Sequence, residues 1–240
     1  MKRLTFRLAV LTAVVIFIQN PICINNADGF VFWTDPNGSA DNFYWANGGS
    51  DFGLFGDPTL VGGDTLLFSP SGFIAKSLDG ESNFITDKLV FELIAYSGFR
   101  FQSISITEYG DYQISGNGSV NVSGNLSVEN LDAAGSLNND LVAVPSMPVT
   151  GDNYDVYGLW SASAQVDINQ PDWTYIKITL QNDLLAITTE NGSIAWIEKK
   201  TLGTAIAIRI IPEPATIAIL LIGSLAFIPK KKNDNYKIYL

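Results

Sequence analysis

Apolar residues recur at every second position through the middle of this chain, and that period decides what it can fold into. Leu89, Phe91 and Leu93 alternate with Lys88, Val90 and Glu92, and Ile104 and Ile106 alternate with Ser103, Ser105 and Thr107. Val120 and Val122, then Leu126 and Val128, repeat the pattern. Ile176, Ile178 and Leu180 do so again against Tyr175, Lys177 and Thr179. Side chains on a strand point alternately to its two faces, so this spacing gives each segment one apolar and one polar face. The β-branched content agrees, and no long helical period interrupts it. Turn residues punctuate the segments at Gly62-Gly63-Asp64, Ser71-Gly72, Asp79-Gly80, Asn117-Gly118, Ser123-Gly124-Asn125 and Asn191-Gly192. Asn191-Gly192, between Leu185-Ala186-Ile187 and Ile194-Ala195-Trp196, reads as a type I′ hairpin. The middle is therefore expected to be all-β: a β-solenoid (β-helix-like) and/or an antiparallel sheet, with a β-sandwich as the alternative built on the same alternation.

The solenoid expectation rests on a short repeat. Ser119-Val120-Asn121-Val122 is echoed by Asn125-Leu126-Ser127-Val128, with Ser123-Gly124 placed as a corner. Upstream, Trp45 with Asn47-Gly48-Gly49, then Gly62-Gly63-Asp64-Thr65-Leu66-Leu67-Phe68, is loosely similar to the start of autotransporter-like β-helix passenger regions. That resemblance implies a Trp-capped entrance followed by stacked strands. Residues 151–211, with Trp160, Trp173 and Trp196, would close the solenoid or form a small antiparallel sheet. Pro145, Pro148 and Gly151 mark the expected joint.

Both ends are of another kind. Lys2, Arg3 and Arg7 precede an uncharged apolar stretch from Leu8 to Ile18, and polar and turn residues follow it. This is the layout of a secretory signal peptide, expected to span residues 1–27 with cleavage after Ala27. A retained anchor, or a lipidated Cys23, is the alternative. At the other end Pro212-Glu213-Pro214 leads into the apolar run Ala215 to Ile228, then Pro229 and Lys230-Lys231-Lys232. Proline suits the first turn of a helix, and an all-round apolar helix is what lipid requires. The run covers about 20–25 Å against a hydrocarbon core of about 30 Å, which makes it a short anchor. The positive-inside rule keeps both basic flanks cytoplasmic, so residues 28–211 form the exported β-rich domain.

At residues 212–232 the chain resembles the PEP-CTERM sorting domain: Pro-Glu-Pro, a hydrophobic helix and a terminal basic cluster on an exported protein. The basic cluster is lysine where arginine is more usual, and a cytoplasmic tail continues over residues 233–240. The resemblance implies export by the Sec machinery and transient inner-membrane anchoring through the C-terminal helix. An exosortase would then recognise Pro212, Glu213 and Pro214, and the protein would be released to the cell surface or extracellular matrix. It further implies a host with an outer membrane and extracellular polysaccharide.

Composition narrows the chemistry. The formal net charge of −10 argues against nucleic acid, whose backbone is bound by clustered Lys and Arg. There is no histidine, which removes the commonest general base and metal ligand. The single cysteine, Cys23, lies beside the leader, so the exported domain has no disulfide.

Asp35, Asn37, Ser39 and Asp41 have the alternate spacing of a calcium loop. However, Ala40 and Ala46 stand where an EF-hand needs glycine and glutamate, so a polar turn is expected, with Ca2+ the weaker reading and no other metal or cofactor. Asp51, Asp57 and Asp64, or Glu108 with Asp111, are the candidate acid–base carboxylates. A Ser-Lys pair through Lys76 or Lys88 lacks any motif. Asn37, Asn117, Asn121, Asn125 and Asn191 open Asn-x-Ser triplets, read here as strand and turn chemistry. Tyr44 and Trp45, between Phe43 and the amides Asn42 and Asn47, are the candidate glycan contact; a cap on the fold is the competing role.

The expectation is a non-enzymatic structural β protein associated with extracellular polysaccharide or biofilm. A carbohydrate-binding module in the same matrix is the alternative, and a polysaccharide-processing enzyme a lesser one.

Overall fold

A computed structural model describes residues 29–170 and 172–213. The expected signal peptide, the expected hydrophobic C-terminal helix with Pro214, and Lys230, Lys231 and Lys232 lie outside the described residues. Within them the regular structure is strand. In order these are β1 (Val31–Phe32), β2 (Gly38–Ser39), β3 (Phe43–Ser50), β4 (Pro58–Val61), β5 (Thr65–Phe68), β6 (Ile74–Leu78), β7 (Ser82–Ala95) and β8 (Phe99–Ser115). They continue as β9 (Gly118–Asn130), β10 (Ser136–Asp140), β11 (Val142–Val144), β12 (Val149–Gly151), β13 (Val156–Asp167), β14 (Tyr175–Thr188) and β15 (Ile194–Pro212). Among the described residues no helix is long and apolar enough to cross a membrane.

The strands form two sheets. The first runs β1-β3-β7-β14-β9-β10, with β2 on β3 and β12 on β9; the second runs β11-β13-β8-β15-β5-β4, with β6 on β15. The pairings between strands are antiparallel. Alternation along each strand sends one set of side chains inward, where the two sheets enclose a single core.

This arrangement fits a β-sandwich better than a β-helix, and among the described residues no solenoid is closed. The physical reason is visible in β9. The two copies of the short repeat lie end to end in one straight strand, and Ser123-Gly124-Asn125 continues the pairing with β14 instead of turning a corner. Gly124 is needed there for space: a Cβ would sit 2.4 Å from the Gln181 carbonyl oxygen and 2.5 Å from Leu141 Cδ1.

The Asn191-Gly192 hairpin is likewise corrected. β14 belongs to the first sheet and β15 to the second, so this turn carries the chain across the core. Asn117-Gly118 and Asp79-Gly80 do the same between β8 and β9 and between β6 and β7. Residues 145–148 also pass from β11 in the second sheet to β12 in the first, and strands from both sides of this stretch make up each sheet.

The core is rich in aromatics. Trp33 bridges the sheets, with ring centroids 5.5 Å from Phe91 and 5.7 Å from Phe68, and Phe55 packs edge-on to Phe68 and Phe73. Trp160 is buried over Gly110, its indole N–H donating to the Glu198 carbonyl at 3.2 Å. Each fully buried side chain of this size contributes about 1.5–3 kcal/mol, which is what lets the domain stand without a disulfide.

Candidate functional site

The outer face of the first sheet carries an aromatic row. Tyr44 on β3 lies opposite Ile94 on β7, and Ile94 lies opposite Tyr175 on β14. All three occupy outward positions because their neighbours Phe43, Leu93 and Ile176 are committed to the core. Tyr96, just beyond β7, stacks on Tyr44 with centroids 6.2 Å apart and planes at 30°. The two rings are 40% and 37% exposed, so the pair faces water. The Tyr175 hydroxyl donates to the Glu92 carboxylate. That bond first, then partial desolvation and the Glu92 charge, hold the phenol proton, so the Tyr175 pKa is pushed up to about 12.

A polar ladder continues from this row. Lys177 pairs with Glu129, and Lys88 with Asp51 at 3.1 Å. Thr86 donates to Asp183 at 2.7 Å, while the Gln181 amide donates to both. Flat exposed rings beside charged and amide groups can stack on the apolar face of a sugar and bond its hydroxyls.

Tyr44 and Trp45, paired in the sequence as one contact, part company on the strand. Tyr44 points out. Trp45 packs against the core, and a Cβ on Gly38 of β2 would lie 2.0 Å from its ring, so β2 covers it. Tyr96, Tyr175 and Glu92 were not singled out by sequence. Their signal was the outward phase of Tyr175 against Ile176, Ile178 and Leu180.

The candidate carboxylates do not converge. Asp51 faces Lys88; Asp57 accepts from the Thr34 amide at 3.0 Å and the Thr34 hydroxyl at 2.5 Å; Asp64 accepts from Thr65 at 2.9 Å. Glu108 and Asp111 sit on opposite faces of β8, the first in the core and the second paired with Lys200 outside. In the 35–41 segment Asn37 accepts from the Asn47 amide at 3.1 Å, which is turn chemistry. Among the described residues no group of three or more His, Cys, Asp or Glu side chains is placed to hold a metal. At the expected sorting motif, Pro212 pairs with Phe99 at the end of β15, and the Glu213 amide donates to the Gly98 carbonyl at 2.8 Å.

A second polar constellation lies inside. Asp87 and Asn182 face each other across β7 and β14, and Glu108 and Lys199 project from β8 and β15 to meet them. All four are buried. Lys199 Nζ lies 2.5 Å from Glu108 Oε1, and the Asn182 amide donates to Glu108 Oε2 at 2.8 Å. The rings of Phe55 and Phe73 each lie 4.7 Å from Lys199 Nζ. Burial pushes the Lys199 pKa below its ordinary 10.5, with Glu108 and, more weakly, Asp87 pulling the other way. Asp87 binds the 50–54 segment, accepting from the Ser50 hydroxyl and the amides of Phe52 and Leu54 at 2.8–2.9 Å.

No protein-family model matches the chain. No curated protein matches it. Among solved structures, it is similar to TmCBM61 in complex with β-1,4-galactotriose, at 11% identity over 76% of this chain and 99% of that one, with a TM-score of 0.25. It is also similar to a mutant of CBM29-2, a family 29 carbohydrate-binding module complexed with cellulohexaose. That match has 14% identity, covers 75% of this chain and 88% of the other, and has a TM-score of 0.20.

Proposed function

We propose that this chain is an exported, non-enzymatic β-sandwich that binds extracellular polysaccharide on the outer face of its first sheet. The observation that supports this reading is the exposed Tyr44–Tyr96 stack, continued by Tyr175 and its bond to Glu92. The two stacked, partly exposed rings form an apolar platform, and a polar ladder beside it offers partners for sugar hydroxyls. Delivery would follow the C-terminal signal: Pro212, Glu213 and Pro214 would be read by an exosortase after Sec export, with the tail holding the protein briefly in the inner membrane. The protein would then join the cell surface or the polysaccharide matrix.

A purely structural role in that matrix is the second reading, supported by the long strands and the buried polar tie between the sheets. Affinity electrophoresis against a panel of soluble polysaccharides separates the two. Retardation that is lost in Tyr44→Ala and Tyr96→Ala, and kept in Tyr157→Ala on the second sheet, supports binding. Equal mobility of all four proteins on every polysaccharide leaves the structural role. Fractionation of cells carrying an exosortase, with and without residues 212–214, tests delivery: both forms intact in one membrane fraction would reduce the C-terminus to a tail anchor.

A further inference from the structure

We propose that Lys199 and Asn182 become joined by an intramolecular isopeptide bond, formed within the folded sandwich with Glu108 as the catalytic acid–base. The inference is independent of the glycan reading and concerns side chains that reading does not use.

The geometry assembles the reactants. Glu108 holds the lysine amine on Oε1 at 2.5 Å and the asparagine carboxamide on Oε2 at 2.8 Å, so nucleophile and electrophile meet on one carboxyl group. Both members of the Lys199–Glu108 pair have no side-chain exposure, and Asn182 is also fully buried. Phe55 and Phe73 flank the amine and exclude water that would compete with it. Asn182 Oδ1 is buried with no hydrogen-bond partner among the described residues. Rotation of the carboxamide would bring that oxygen onto Glu108 Oε2, where a protonated carboxyl donates to it and makes Cγ electrophilic.

The chemistry balances without metal, oxidant or cofactor. The Lys199 ammonium passes one proton to Glu108, and burial favours this neutral amine. The free electron pair on Nζ then forms a bond to Asn182 Cγ, and the carbonyl π electrons move to Oδ1. Glu108 takes a second proton from Nζ and relays protons to Nδ2. As the carbonyl re-forms, the Cγ–Nδ2 bond breaks with its electron pair on nitrogen. Two protons leave with that nitrogen as ammonium, and Glu108 returns to the carboxylate. The product ties β14 of the first sheet to β15 of the second, across the turn that connects them.

The test is peptide mass analysis of the full chain after denaturation. Tryptic cleavage at Lys177 places Asn182 and Lys199 in one peptide. The bond blocks cleavage after Lys199, so peptide 178–200 is expected, lighter than its sequence by about 17 Da, the mass of the ammonia lost. Further cleavage after Glu190 and Glu198 should release residues 191–198 and leave 178–190 joined to 199–200. A linear peptide ending at Lys199 with its sequence mass, recovered from the wild-type chain, overturns the proposal. So does a loss of about 17 Da carried by residues 178–190 alone, with 199–200 free after that cleavage, because that marks a cyclic imide at Asn182. Glu108→Gln should give the linear peptide, and a cross-linked one from that variant would overturn the role given to Glu108. The wild-type result stands whether or not the variant folds.

Discussion

Replacing Asp87 with asparagine isolates the worth of one buried carboxylate, because the side chains are nearly the same shape. Asp87 Oδ1 accepts from the amides of Phe52 at 2.9 Å and Lys88 at 2.8 Å, and Oδ2 from the Ser50 hydroxyl at 2.9 Å and the Leu54 amide at 2.8 Å. Asparagine keeps one oxygen, so one of these oxygen positions becomes an NH2 group facing donors. The Ser50 hydroxyl can turn to accept, but the Leu54 amide cannot. One buried N–H left unsatisfied costs about 1–3 kcal/mol, and bonds that lose charge assistance weaken by about 1 kcal/mol more. Asp87→Asn should therefore cost about 2–4 kcal/mol. For a domain of this size that lowers Tm by about 5–15 °C. Urea unfolding followed by tryptophan fluorescence, which samples the buried Trp33, measures it, with the midpoint falling at unchanged slope. A loss below about 0.5 kcal/mol would refute the reasoning and show that the 50–54 segment is held by Phe55 packing instead.

Other outcomes follow from single contacts. In an ultraviolet pH titration one tyrosine should ionise late, at about 12, and Glu92→Gln should return it toward 10.0. A phenol whose folded pKa is raised contributes stability that is whole below pH 10.0 and is lost as the pH climbs through about 12. Unfolding midpoints of wild type and Tyr175→Phe should therefore converge across that window, and a constant difference would refute the assignment. Gly110→Ala should cost about 3 kcal/mol or more, since its Cβ would lie 2.0 Å from the Glu198 carbonyl oxygen and 2.3 Å from Trp160; a urea midpoint matching wild type would show that β8 and β15 can part there. Gly38→Ala should shift Trp45 emission by displacing β2 from the ring, and an unchanged spectrum would mean β2 does not cover it.

The strands were legible because alternation is a local property. Leu89, Phe91 and Leu93 announced an inward face, and the fold puts all three in the core. The partner of each strand was not legible. The repeat in β9 has the spacing of two solenoid rungs, and nothing local says that the chain continues straight through Ser123-Gly124. Asn191-Gly192 has hairpin chemistry, yet β14 pairs with β7 and β9 while β15 pairs with β8, β5 and β6. Turn residues report that a chain reverses. They do not report whether it returns beside itself or across a core.

The two candidate sites were written in the same alternation, as departures from it. Reading Ile176, Ile178 and Leu180 forward by twos reaches Asn182, then Leu184 and Ala186; reading Leu93, Phe91 and Leu89 backward reaches Asp87; Ile104 and Ile106 lead to Glu108. Each is a polar residue in an apolar phase. A strand can bury such a group only where another strand answers it, so three departures imply a common level where they meet. The fold places them at that level, with Lys199 as the cation. The lysine was harder to read, because Ile194 and Trp196 are as apolar as Ala195 and Ile197 and the sequence alone does not say which phase points inward; the fold buries Ala195, Ile197 and Lys199 together. Outward departures are cheaper and so leave weaker marks. Tyr175 in a polar phase disturbs nothing, and it gains meaning only when β3 and β7 bring Tyr44 and Tyr96 to the same end of the sheet. Inward polar residues are thus constrained by their own strand and outward aromatic ones by their neighbours, which is why the buried cluster was half readable from sequence and the surface row was not.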